Sequence, residues 1–65
     1  MITVNGKEYP FVENVNFKDF LESEGYKTER VALELNGEIL PKSEFASTLI
    51  RDRDKVEIVC FVGGG

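Results

Sequence analysis

The sequence predicts an α+β domain, a mixed sheet of four to five strands with one main helix packed across it. Three observations carry that reading. Two Asn-Gly pairs, Asn5-Gly6 and Asn36-Gly37, each sit between short apolar runs, the pattern of tight hairpins. Between those pairs lies one apolar stripe at helical spacing, Phe17, Phe20 and Leu21. A last alternating run from Lys55 to Val62 leads into Gly63, Gly64 and Gly65. The helix supplies the crossover that any parallel strand pairing requires.

Residues 1–11 read as a hairpin. Ile2 and Val4 alternate with Met1 and Thr3, and Asn5-Gly6 offers the two positive-φ positions of a type I′ turn. Lys7 to Phe11 then returns antiparallel, with residues 4 and 7 opposite each other, so Tyr9 and Phe11 are expected on the core face with Ile2 and Val4. The helix follows. Asn16 is a good N-cap, Val15 before it can pack on Phe20 as a hydrophobic staple, and Gly25 supplies the left-handed stop. Lys18, Asp19, Glu22 and Ser23 fall outside the apolar stripe.

Tyr26 to Arg30 is polar and turn-forming. The next strand puts Val31, Leu33 and Leu35 on one face and Ala32 and Glu34 on the other. Glu38-Ile39-Leu40 returns from the second Asn-Gly turn and stops at Pro41. Over residues 42–50, Phe45, Leu49 and Ile50 have helical spacing, which predicts a short helix or 3₁₀ segment. Arg51-Asp52-Arg53-Asp54 reads as a solvated charged turn, since two carboxylates without further ligands make a poor cation site. In the last strand Val56, Ile58, Cys60 and Val62 share the core face, and Glu57, Val59 and Phe61 the other. Cys60 is thus expected to be a small buried hydrophobe. Val59 and Phe61 either form an exposed interface patch or lie under the second short helix or a loop.

The totals bound the function. Sixty-five residues form one small domain that hides about 60% of its unfolded surface, leaving little room for an enclosed active site. The chain has no histidine and a single cysteine. It therefore lacks the commonest general base and metal ligand, and it cannot form an internal disulfide. An enzyme is not expected, and a reducing cytoplasm is. No apolar run is long enough to span a membrane. A net charge of −4 opposes binding to nucleic-acid phosphates; it suits either a basic docking partner or solubility alone.

The end of the chain is the candidate working group. Glycine weakens a strand interior, so the strand is expected to finish near Val62. That divides the chain into a domain over 1–62 and a mobile tail over 63–65, reaching roughly 10 Å. After Glu57 no side chain is charged, which leaves the Gly65 carboxylate as the charge at this end. Gly64 would let the tail thread a narrow partner channel, and Gly63 would add flexibility. A disordered end or a cloning remnant is the alternative.

In size, element order and Gly64-Gly65 ending, the chain resembles the ubiquitin-like β-grasp sulfur carriers of the ThiS type. The resemblance also rests on Asn5-Gly6, on Phe20-Leu21, on the stretch Leu35-Asn36-Gly37-Glu38-Ile39-Leu40-Pro41, on Phe45, and on Asp52-x-Asp54-x-Val56. It covers the whole length, and the final Gly-Gly is its most specific part. Gly63 departs from the minimal Gly-Gly pattern by lengthening the tail. The resemblance implies that a ThiF-type adenylating enzyme, using its own ATP and magnesium, activates the Gly65 carboxylate. Sulfur from a cysteine desulfurase would then give a thiocarboxylate for a ThiG-type thiazole synthase. It implies a monomer when free and no cofactor of its own. Three alternatives remain open at this level: a MoaD-like carrier for molybdopterin synthesis, a TGS-like regulatory binding module, and a modifier joined to lysines.

Overall fold

The computed structural model describes residues 1–61. Five strands and one α-helix occur among them: β1 Ile2–Val4, β2 Lys7–Tyr9, α1 Phe17–Ser23, β3 Val31–Leu35, β4 Glu38–Leu40 and β5 Lys55–Cys60. Short 3₁₀ turns cover Thr28–Arg30 and Lys42–Glu44. The strands form one sheet in the order β2-β1-β5-β3-β4. β1 and β5 run parallel, and every other pair is antiparallel. The predicted mixed α+β architecture is the one observed.

Both hairpins follow from their turn residues. Asn5 and Gly6 take φ of 50° and 82°, and Asn36 and Gly37 take 53° and 88°, the double positive-φ geometry of a type I′ turn. The first hairpin pairs Val4 with Lys7 and Ile2 with Tyr9, as the two-residue turn predicts. β2 stops at Tyr9 rather than continuing to Phe11, because Pro10 has no N–H to donate to the ladder. Phe11 still packs, half-buried, against the core.

The helix begins where Asn16 Oδ1 accepts the Asp19 N–H at 2.8 Å, satisfying one of the free donors of the first turn. It ends before Gly25, whose φ is +86°. Its inner face places Phe17 and Leu21 out of contact with solvent. Phe20 sits at the margin and meets Tyr9 edge-to-face with ring centroids 6.1 Å apart. Ile2 and Val4, Val31 and Leu33, Val56 and Ile58, with Phe45 and Ile50 from the long connection, complete the buried cluster. No helix is long and apolar enough to cross a membrane among the described residues.

Three sequence expectations are corrected. Leu49 is exposed. The 3₁₀ turn ends at Glu44, and residues 48–50 run extended beside residues 15–17, with Phe17 N–H to Thr48 C=O at 3.2 Å and Ile50 N–H to Val15 C=O at 2.8 Å. In extended chain, neighbouring residues face opposite ways, so Ile50 turns inward and Leu49 outward. Asp54 is buried rather than solvated. It accepts from Asn36 Nδ2 at 3.0 Å and from the Arg51 N–H at 2.9 Å, which offsets the cost of its burial. Cys60 is exposed. β1 pairs with β5 only through Lys55 and Val56, so Cys60, opposite Val31 on β3, lies at an open corner of the sheet.

The charged turn also carries a pH-dependent contact. The Met1 ammonium donates to Asp52 Oδ1 at 2.6 Å. That hydrogen bond, more than any other influence, holds the Asp52 carboxyl below its ordinary value. A carboxylate whose folded-state pKa is depressed stabilises the fold above its unfolded pKa, about 3.9, and loses that contribution as pH falls through the folded value. Asp52→Asn is therefore expected to flatten the acid limb of stability below about pH 4. Urea midpoints measured against pH for both proteins check this; because the pair is exposed, the change is small.

Candidate functional site

The candidate site is the end of β5 together with the sheet face that the helix leaves open. β5 is the central strand, between β1 and β3. Its register on β3 runs from Leu35–Val56 to Val31–Cys60, and the Phe61 N–H then donates to the Arg30 carbonyl at 2.8 Å. The last strand is thus held to the edge of the glycine segment. Gly63, Gly64 and Gly65, and Val62 before them, lie outside the described residues.

Two side chains that the sequence reading used only for their turns also clamp this strand. Asn5 Oδ1 accepts the Ile58 N–H at 2.7 Å, and Asn5 Nδ2 donates to the Ile58 carbonyl at 3.1 Å. Beyond the last β1–β5 backbone pair, one amide side chain therefore does the work of a missing strand residue. Asn36 plays the corresponding part at the strand's start. Its Oδ1 accepts the Lys55 N–H at 2.9 Å while its Nδ2 donates to Asp54 at 3.0 Å. The only signal in the sequence was the choice of Asn, rather than Asp or Gly, before each turn glycine. Turn chemistry alone explains that choice, so the clamps were not read.

Asn5→Ala is expected to cost about 2–3 kcal/mol, since it leaves both polar groups of Ile58 unpaired and puts alanine at positive φ. Asn5→Gly removes the backbone strain but not the lost hydrogen bonds, and is expected to recover about 1 kcal/mol of that cost. Chemical denaturation of the two variants separates the effects.

On the open face, Val59 and Phe61 are 56% and 55% exposed. No helix or loop among the described residues covers them, as the interface reading of these two residues requires. Val59 stands opposite Ala32, and two residues along the register Glu57 stands opposite Glu34, which is itself opposite Ile39. Ile39 is 75% exposed. The face therefore combines apolar and acidic side chains, and Ile39, Glu34 and Glu57 were not among the residues singled out from sequence.

A sheet of this order, with one α-helix among the described residues across one side and β5 at the centre, defines a ubiquitin-like β-grasp domain. The ThiS family model matches residues 2–65, and the chain belongs to the ThiS family. It is 36% identical to the sulfur carrier protein ThiS of Bacillus subtilis (strain 168), over all of both chains. It is 38% identical to the crystal structure of the thiamine biosynthesis protein ThiS from Geobacter metallireducens, with a TM-score of 0.74 over 98% of this chain and 97% of that one. A thiazole synthase from Paramagnetospirillum magneticum is 41% identical over 98% of this chain, which spans only 20% of that protein's length.

Proposed function

We propose that this chain is the sulfur carrier of thiamin biosynthesis and that the Gly65 carboxylate is its working group. A ThiF-type enzyme, supplying ATP and magnesium, activates it. One carboxylate oxygen attacks the α-phosphorus of ATP, pyrophosphate leaves, and the acyl-adenylate forms. Sulfur taken from cysteine by a desulfurase as a persulfide, and brought to the sulfide level by a two-electron thiol reductant, then attacks the acyl carbon; AMP departs and the thiocarboxylate remains. Thiazole synthase accepts that sulfur. The chain acts as a co-substrate throughout, not as a catalyst.

The observation that carries the reading is the ThiS-family match through residue 65. The placement of β5 supports it: a central, doubly clamped strand leads toward the glycines. The names of the Bacillus and Geobacter relatives support a sulfur carrier and the thiamin pathway. The thiazole synthase that contains a stretch like this chain supports that enzyme as the acceptor. The chemistry fits as well. A terminal carboxylate has a pKa of about 3.3–3.7 and is ionised at neutral pH, ready to attack phosphorus. Glycines without Cβ let the backbone pass close to a partner. Val59 and Phe61 serve as the apolar contact for the activating enzyme.

Intact mass after incubation with a ThiF-type enzyme, ATP and a cysteine-derived sulfur source tests the proposal. Replacement of one carboxyl oxygen by sulfur is expected, and it should disappear when Gly65 is deleted. An unchanged mass with a matched, active enzyme would overturn the reading.

A further inference from the structure

We infer that Asn36 is a site of spontaneous deamidation, and that the modified residue cannot re-form the clamp at the start of β5. The inference is independent of the carrier reading and concerns how long the folded chain keeps its last strand fixed.

The chemistry begins with the sequence. Asn5 and Asn36 precede glycine, whereas Asn14 precedes Val15 and Asn16 precedes Phe17. Glycine has no Cβ to hinder its own nitrogen. The Gly37 backbone nitrogen attacks Asn36 Cγ and gives its proton to solvent. The Cγ–Nδ2 bond breaks, ammonia leaves, and a cyclic imide closes between the two residues. Water then opens one imide carbonyl or the other, leaving aspartate or isoaspartate. One water is consumed and one ammonia released; nothing is oxidised or reduced.

The fold restrains this step unequally at the two turns. At Gly37 nothing beyond the chain neighbours lies within 4 Å of where a side chain would begin, so the turn is uncrowded on that side. The restraint is the pair of hydrogen bonds made by the Asn36 carboxamide, from the Lys55 N–H at 2.9 Å and to Asp54 Oδ1 at 3.0 Å. The Lys55 contact is open to solvent, and neither partner belongs to the apolar core. Asn5 has the same turn geometry, but both of its contacts are partly buried and made to Ile58, a core residue. Local opening therefore frees Asn36 more readily than Asn5.

The product reverses the electrostatics of the clamp. Nδ2 is the donor that faces Asp54, which is only 8% exposed. After hydrolysis a carboxylate oxygen takes its place, and two carboxylates in contact cannot both ionise without cost. Nothing nearby offsets that charge. Among the described residues no cation pairs with Asp54. The Lys55 ammonium lies 3.7 Å from Glu57, and the Met1 ammonium is held by Asp52. Arg51 and Arg53 on the same turn are exposed, and Glu34 and Glu38 on β3 and β4 add negative charge. Asp54 keeps only the Arg51 N–H as a donor. Isoaspartate also inserts an extra backbone atom into a type I′ turn whose twist matches its strands. Either product loosens the start of β5, and hydrolysis makes the change one-way.

Two variants and an ageing experiment test this. Asn36→Asp reproduces one product directly; Asn36→Gly removes the amide, adds no charge and tolerates the positive φ. At neutral pH Asn36→Asp is expected to melt roughly 10 °C below wild type and also below Asn36→Gly. In a carboxylate pair the folded-state pKa of one member is raised. The chain then has its full stability below the unfolded value, about 3.9, and loses it as pH rises through the folded one. The gap between the two variants should therefore close on acidification, and an Asn36→Asp chain unfolded at neutral pH should fold again there. In parallel, wild type is aged in mildly alkaline buffer with and without urea, and peptide masses locate each amide converted to acid. In the native chain Asn36 is expected to convert ahead of Asn5, Asn14 and Asn16, and the aged molecules should unfold at lower urea. An Asn36→Asp chain that melts within about 2 °C of Asn36→Gly at every pH would overturn the inference. So would native ageing that spares Asn36 while the urea-unfolded chain loses that amide.

Discussion

Phe17→Ala is expected to remove about half of the domain's stability or more. Phe17 is fully enclosed, on the inner face of the only α-helix among the described residues. It shares one cluster with Val31, Leu33 and Val56 of the sheet and with Phe45 of the long connection. Truncating a buried phenylalanine costs about 3–5 kcal/mol, the sum of lost burial and the cavity left behind. Domains are stable by roughly 0.05–0.15 kcal/mol per residue, so 65 residues correspond to about 3–10 kcal/mol in total. The core is one layer thick, with a seven-residue helix as its lid, and no second cluster occurs among the described residues. Circular dichroism during urea unfolding checks this. A cooperative transition weakened by less than about 1.5 kcal/mol would mean that the helix is not the keystone of the core.

Gly64→Val carries the largest functional effect. The position lies outside the described residues, and no buried core residue identified comes later in the sequence than Ile58, so the variant is expected to fold with an unchanged urea midpoint. Valine is β-branched and restricts both backbone and χ1, and it adds bulk where the proposed channel requires close approach of bare backbone. A misplacement of the carboxylate by about 1 Å costs on the order of a hundredfold in rate. Acyl-adenylate formation, followed by pyrophosphate release, is expected to fall by about that factor. Normal adenylation of a normally folded Gly64→Val chain would count against threading. It would leave the Gly65 chemistry itself to be judged by the Gly65 deletion.

The two proteins fail in opposite ways, and the contrast is diagnostic. Phe17→Ala loses activity only as far as it loses folded protein, and conditions that restore folding should restore adenylation. Gly64→Val keeps the fold and loses the reaction. Asn5→Ala falls between them: the clamp on Ile58 is lost while the core residues are untouched.

Local signals in the chain were enough for the elements and for most of the core. The two Asn-Gly pairs set both hairpins and their register, because positive φ at two successive residues admits few turns. Period-two alternation in residues 31–35 and 55–58 named Val31, Leu33, Val56 and Ile58, and the helical stripe named Phe17 and Leu21; all are buried. The glycine ending, which pointed to the carrier chemistry, is a matter of composition and needs no fold to be seen.

Tertiary structure decided what depends on contacts between distant residues. Asn5 and Ile58, or Asn36 and Lys55, meet only because β5 inserts between β1 and β3. Nothing local to either asparagine distinguishes a clamp from an ordinary turn residue. Asp54 looked solvated within its charged run, yet Asn36 and the Arg51 amide enclose it. Cys60 followed the core-facing alternation but lies where β1 no longer flanks the strand. The same holds for Glu34 and Glu57. Each reads alone as an ordinary surface glutamate, and only the β3–β5 register sets one against the other. Alternation reports which side of a strand a residue takes; what stands beside it, and whether anything covers it, is fixed by strand order and register.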